Sequence, residues 1–169
     1  MQMKESQRIP ASQDKVWAYL NNPDILKQCI PGCQALDKIS PTEMAATVVF
    51  KVGPVKAKFG GKVTLSDIDP PNGYRMSGEG SGGIAGFAHG GATIKLEAEA
   101  PDVTILHYDV DATIGGKLAQ LGSRLIDSTA KKLAGEFFTK FAAVIAAEQS
   151  ASAGVDGQFA GAAVSALPS

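Results

Sequence analysis

The sequence predicts an α+β domain in which a curved, seven-stranded antiparallel sheet wraps around one long C-terminal helix, with two short helices near the N-terminus. Three observations carry this. Apolar and polar residues alternate with period two from about Ala35 to Ile114. From Gly116 the apolar spacing changes to three and four. Proline, asparagine and glycine cut the first 35 residues into pieces too short to form a core.

The elements follow in order. Residues 2–9 alternate weakly up to Pro10, as a first strand does. Ser12 and Asp14 offer N-cap chemistry to a short helix through Val16, Trp17, Tyr19 and Leu20, which Asn21-Asn22-Pro23 stops. A second short helix is expected from Asp24 to Cys29, closed by Pro31-Gly32. Helices this short are not stable alone, so both must pack on something larger. Six more strands come next. Met44 to Val52 and Val55 to Leu65 flank Gly53-Pro54, and Tyr74 to Gly78 follow the turn Pro70-Pro71-Asn72-Gly73. Ile94, Leu96 and Ala98 then face one way, as do Leu106, Tyr108, Val110, Ala112 and Ile114. The alternation describes a sheet with one wet and one covered face.

The cover is a helix expected over about Lys117 to Ala147, with a stripe of Leu118, Leu121, Leu125, Ile126, Leu133, Phe137, Phe138, Phe141, Val144 and Ile145. Its length would be about 45 Å at 1.5 Å per residue. The domain is expected to span 1–149. Residues 150–169, rich in Ala, Gly and Ser, read as a flexible tail, with a docking peptide built on Phe159, Val164 and Leu167 as the alternative. Small inward residues at Ala46, Ala57, Gly78, Ala88, Ala98 and Ala112 leave the space between sheet and helix underfilled, and an apolar gap of this kind suits a small molecule.

Composition excludes several classes. At 169 residues with 44% hydrophobic and 20% charged residues, the chain suffices for one core. A net charge of −1 argues against nucleic-acid binding. Two cysteines make no disulfide framework, and no signal sequence or stretch of about 20 apolar residues is visible, so a cytoplasmic protein is expected.

The segment 78–91, GEGSGGIAGFAHGG, holds seven glycines. It is not a nucleotide loop, because it lacks GxxxxGK[ST] and a strand follows it instead of a helix. Glycines here permit bulges, curvature or close backbone approach, and a bendable hairpin would let Phe87 gate a cavity.

The segment Ile30-Pro31-Gly32-Cys33, the run GEGSGGIAGFAHGGA and the stretch YDVDATIGGKLAQLGSRLIDSTAKKLAGEFFTKF together resemble the G-subunit family of carbon monoxide dehydrogenase, which belongs to the START-like, helix-grip superfamily. The resemblance covers about residues 1–148. It implies a seven-stranded sheet gripping the C-terminal helix. It further implies an accessory role beside molybdenum-dependent carbon monoxide dehydrogenase or a related hydroxylase, with recruitment of that enzyme to the cytoplasmic membrane and binding of a quinone-like lipid. Some relatives carry a C-terminal membrane segment, and this chain shows none.

No nucleophile–base set stands out and no catalytic residue is assigned. Cys29 and Cys33, spaced C-x3-C, are too few for zinc or iron–sulfur, and no metal is expected. His89 is read as facing inward, able to donate to a quinone carbonyl or to satisfy a loop. His107 is read as a solvated outward residue. Tyr74 and Tyr108 face inward, with hydroxyls that orient a polar head or are satisfied by backbone, and Arg124 is a further candidate. The expected ligand cavity comprises Phe50, Val52, Phe59, Tyr74, Met76, Phe87, His89, Ile94, Leu96, Leu106 and Tyr108, with Leu121, Leu125 and Phe137 from the helix.

Charge is unevenly spread. Lys51, Lys56, Lys58 and Lys62 lie in a stretch without carboxylates, whereas Glu97, Glu99, Asp102, Asp109 and Asp111 lie in one without Lys or Arg. Four lysines, most with outward parity, suit either docking to an anionic leaflet, at about 1 kcal/mol each, or an aggregation-resistant edge. The expected function is therefore a non-enzymatic accessory protein of that dehydrogenase or hydroxylase. It would hold a hydrophobic ligand, a membrane quinone or other lipid, without a covalent cofactor, and contact the inner face of the cytoplasmic membrane peripherally. The alternatives are an assembly or maturation factor without ligand, and a helix-grip cyclase or hydrolase.

Overall fold

The computed structural model describes the backbone of residues 1–161 and the side chains of residues 1–148. Strand β1 (Gln2–Ile9) leads into helices α1 (Gln13–Leu20) and α2 (Pro23–Cys29). Six strands follow: β2 (Cys33–Ser40), β3 (Glu43–Val52), β4 (Val55–Asp69), β5 (Gly73–Ser81), β6 (Phe87–Ala100) and β7 (Val103–Gly115). Helix α3 (Ser123–Gly161) closes the chain. Ser12 caps α1 as the sequence announces, its Oγ accepting from Lys15 N–H (3.3 Å), whereas Asn22, expected only as part of a stop, also caps α2 by accepting from Asp24 N–H (3.0 Å), with Pro23 opening that helix.

The strands form one antiparallel sheet in the order β1-β7-β6-β5-β4-β3-β2. Every sequential hairpin from β2 to β7 pairs with its neighbour, and β1 returns to the far edge beside β7. Even positions of β3, β5, β6 and β7 and odd positions of β4 share the inward face, as the pairs Val48↔Phe59, Ile94↔Tyr108 and Leu96↔Leu106 show. The core gathers on that face: Ile9, Leu65, Tyr74, Ile94, Leu96, Leu106 and Tyr108 from the sheet, Val16 and Leu20 from α1, Ile25 and Cys29 from α2, and Phe141 and Ile145 from α3. Thr104, the buried polar side chain in this region, donates its hydroxyl to Ala11 O at 2.8 Å.

One expectation is corrected and one is narrowed. The covering helix does not begin at Lys117. A 3-10 turn over Leu118–Leu121 ends at Gly122, whose φ of 96° no other residue adopts cheaply, and α3 starts after it. The glycine-rich segment is no bulge, since β5 and β6 pair without a register shift from Gly73↔Lys95 to Ser81↔Phe87. Of the expected roles, close approach is the one its glycines fill. A Cβ at Gly82 would strike the ring of Phe59, and one at Gly116 would meet Gly86 backbone across the sheet end. Helical backbone continues to Gly161 within the segment read as a tail; its side chains, and all of residues 162–169, lie outside the described residues.

Candidate functional site: an apolar cavity at one end of the sheet

The helix does not cover the inward face evenly. Around its middle, Phe137, Phe138 and Phe141 interlock at ring distances of 4.9 and 5.6 Å, and Phe138 stacks on Tyr108 at 5.2 Å. Towards its N-terminus the inward residues shorten, and a cavity of about 400 Å³ opens. β3 and β4 supply one wall through Ala46, Val48, Phe50, Val52, Phe59, Gly61 and Val63. Ala88 and Ile114 continue it across β6 and β7, Ile30 and Pro31 reach it from the end of α2, and Leu118 from the 3-10 turn. Helix α3 presents Ile126, Thr129, Ala130 and Leu133, the i, i+3, i+4, i+7 stripe of one helix face. Phe50 and Phe59 pack at 5.3 Å within this wall. A neighbouring groove floored by Gly78, Gly90, Ala92 and Ala112 shares Val63, Gly80 and Ala88 with the cavity.

Of the fourteen residues expected to line a cavity, Phe50, Val52 and Phe59 do so. Met76 reaches the neighbouring groove. Tyr74, Ile94, Leu96, Leu106 and Tyr108 have the expected inward parity but sit in the packed core, with Phe137 against it. Tyr74 meets Trp17 edge to face at 5.5 Å, and burial pushes its phenol up to about 12. The Tyr108 hydroxyl is already engaged, donating to Glu5 Oε1 at 2.9 Å; burial first, then Glu5, raises its pKa. Leu125 packs over the Gly53 turn, and Leu121 falls on the 3-10 turn, where Leu118 takes the cavity position. Arg124 is exposed.

Phe87 and His89 are on the other face. β6 keeps an unbroken register through them, so both share the outward parity of Lys95 and Glu97. His89 lies opposite Glu79 and Thr113, and Phe87 covers Gly115, stacked on His89 at 6.4 Å and 47% exposed. Neither a gating ring nor an inward imidazole is formed there. His107 pairs with Glu97 at 3.1 Å, and Arg8 with Glu99 at 3.1 Å, so the acidic strands are partly balanced from β1 and within β7. Cys29 is buried in the core and Cys33 donates to Ala35 O at 3.4 Å; burial raises both thiol pKa values. Among the described residues no group of three or more His, Cys, Asp and Glu gathers as a metal site would require.

The four lysines all face outward but are not equivalent. Lys62 is tied to Glu43 at 3.0 Å. Lys51 and Lys56 lie directly opposite each other at the β3–β4 hairpin end, with Lys58 next on the same face of β4, and no carboxylate among the described residues pairs with the three. The β5–β6 connection, which meets β4 at Lys58 and Phe59, carries Ile84, which is 91% exposed. No helix of the described residues is long and apolar enough to cross a membrane.

Several lining residues escaped the sequence reading although a signal existed. Val48 and Val63 share parity with Phe50 and Phe59, and Ile126, Ala130 and Leu133 belong to the apolar stripe. Ile30, Pro31 and Thr129 had no such signal.

The chain matches the family model of the carbon monoxide dehydrogenase G-subunit (CoxG) over residues 6–146. Among solved structures, a conserved protein from Geobacillus kaustophilus is 32% identical, with a TM-score of 0.82 over 86% of this chain and 95% of that one. A START superfamily protein from Mycobacterium smegmatis, 10% identical, aligns with a TM-score of 0.66 over 85% and 96% of the two chains. The Zhui aromatase/cyclase from Streptomyces, 10% identical, aligns with a TM-score of 0.63 over 86% and 93%. These last two show the shared START-type fold alone. No curated protein matches the chain.

Proposed function

The chain belongs to the CoxG family, the G-subunit family of carbon monoxide dehydrogenase, and from that premise we propose that it is a non-enzymatic carrier and recruitment factor for carbon monoxide dehydrogenase or a related molybdenum hydroxylase. Its ligand is an elongated apolar molecule, for which the family resemblance suggests a prenylated membrane quinone. The observation that carries this reading is the cavity of about 400 Å³ with a wall of aliphatic and aromatic side chains. Such a wall favours an apolar tail at about 25 cal/mol per Å² buried. It favours no reaction, because no histidine, aspartate or cysteine lines it, and its acid and base, Glu79 and Lys62, are cross-strand neighbours at outward positions.

The outer surface at the same end supports delivery from a membrane. Lys51, Lys56 and Lys58 leave like charges unbalanced, and the connection that meets Lys58 carries the exposed Ile84. An anionic leaflet would relieve the first and bury the second.

The test is organic extraction and native mass spectrometry of protein purified without detergent from a quinone-containing host. The reading predicts a near-stoichiometric prenylated quinone. Empty protein that also refuses added quinone contradicts it and leaves an assembly factor acting through its surface.

A further inference from the structure

The cavity wall is apolar with one exception inside it. Lys62 and Glu79 belong to the wall through outward positions of β4 and β5, and Lys62 is held by Glu43. The Met1 ammonium at the rim donates to Ala112 O at 2.8 Å. That leaves Thr129, on the cavity stripe of α3 between Ile126 and Leu133, as the neutral hydrogen-bonding side chain of the lining. Its hydroxyl has no hydrogen-bond partner among the described residues, whereas Ser128 beside it, directed away, folds back onto Leu125 O at 3.0 Å. A helical threonine ordinarily makes that backbone contact too. Thr129 is half-buried on the cavity lining, so its unpaired hydroxyl is free to bond whatever occupies the cavity. Ala130, next to it on the same stripe, leaves room there.

We infer that Thr129 is the polar recognition point of the cavity, and that the ligand class is an elongated apolar molecule carrying a neutral carbonyl, such as a ketone, ester or quinone, and not a carboxylate. The inference rests on the carrier reading and adds to it the atom that tells one apolar ligand from another. A carboxylate would have to draw Lys62 from Glu43 or the Met1 ammonium from Ala112 O to be neutralised. A neutral carbonyl accepts the Thr129 O–H and leaves the tail to the aliphatic wall.

The test uses matched probes: methyl nonyl ketone, undecane and undecanoate, each displacing an apolar fluorescent naphthylamine from the full chain. Wild type should bind the ketone about tenfold more tightly than undecane, the worth of one net hydrogen bond, and undecanoate less tightly than the ketone. Thr129→Val, which keeps the shape, should bring the ketone-to-undecane ratio to one or below without weakening undecane. Thr129→Ser should retain the preference. A wild-type ratio of one, a preference surviving in Thr129→Val, or undecanoate binding as tightly as the ketone overturns the assignment while the carrier reading stands. Failure of every probe to bind wild type overturns the carrier reading, and the assignment with it.

Discussion

The two ends of the sheet–helix interface are built from the same kinds of element and do opposite things. At one end Phe141 and Ile145 of α3 are fully buried against Ile9, Leu106 and Tyr108, with α1 wedged beside them. At the other, Ile126, Thr129, Ala130 and Leu133 of the same helix look across a space of about 400 Å³ at Phe50, Phe59 and Ala88. The difference is side-chain volume at equivalent inward positions. Where β5 and β6 carry Tyr74 opposite Ile94, the helix seats; where they carry Gly80 opposite Ala88, it stands off. The packed end holds the fold, and the open end is free to hold something else.

The sharpest way to break this comparison is to truncate an aromatic at each end. Phe141→Ala should lower unfolding free energy by about 3–5 kcal/mol, as a buried phenylalanine does. Phe59→Ala, facing space that is already empty, should cost under about 2 kcal/mol. Urea denaturation measures both, and equal costs would erase the distinction.

A second contrast is titratable. Tyr74 at the packed end holds its proton up to about 12 because it is buried, against about 10 when unfolded. Between these values the folded state keeps a proton that the unfolded state releases. Stability is therefore fully present below pH 10 and falls as pH rises from 10 to 12, by about 2 kcal/mol. Urea midpoints across that window should fall less steeply for Tyr74→Phe than for wild type.

The smallest expected effect is at the open end's outer surface. Lys51→Glu replaces the repulsion with Lys56 by an attraction, which should raise stability by about 0.5 kcal/mol. The same variant should sediment less with anionic vesicles at low salt. Unchanged sedimentation would detach the hairpin from membrane docking.

How much of this was legible in the sequence follows the same division. Period-two alternation placed the inward faces of β3, β4 and β7, and Ser12 placed the cap of α1, because those depend on neighbours in the chain. Parity also marked Tyr74, Ile94 and Leu106 as inward, but it cannot tell a packed inward position from an open one. That depends on how far α3 stands from each strand, which is set by residues distant in sequence. His89 and Phe87 were misread by one position of parity, and an unbroken β6 register puts both outside. Gly122 broke the expected helix where the apolar spacing alone ran on. Thr129 was invisible because a threonine on an amphipathic helix reads as surface until the opposite wall is known.

The most direct measurement is amide hydrogen exchange with and without a prenylated quinone. The account predicts added protection in β3, in β4 and over residues 126–133, with no change over residues 137–145. Protection concentrated at 137–145, or none anywhere under saturating quinone, would contradict it.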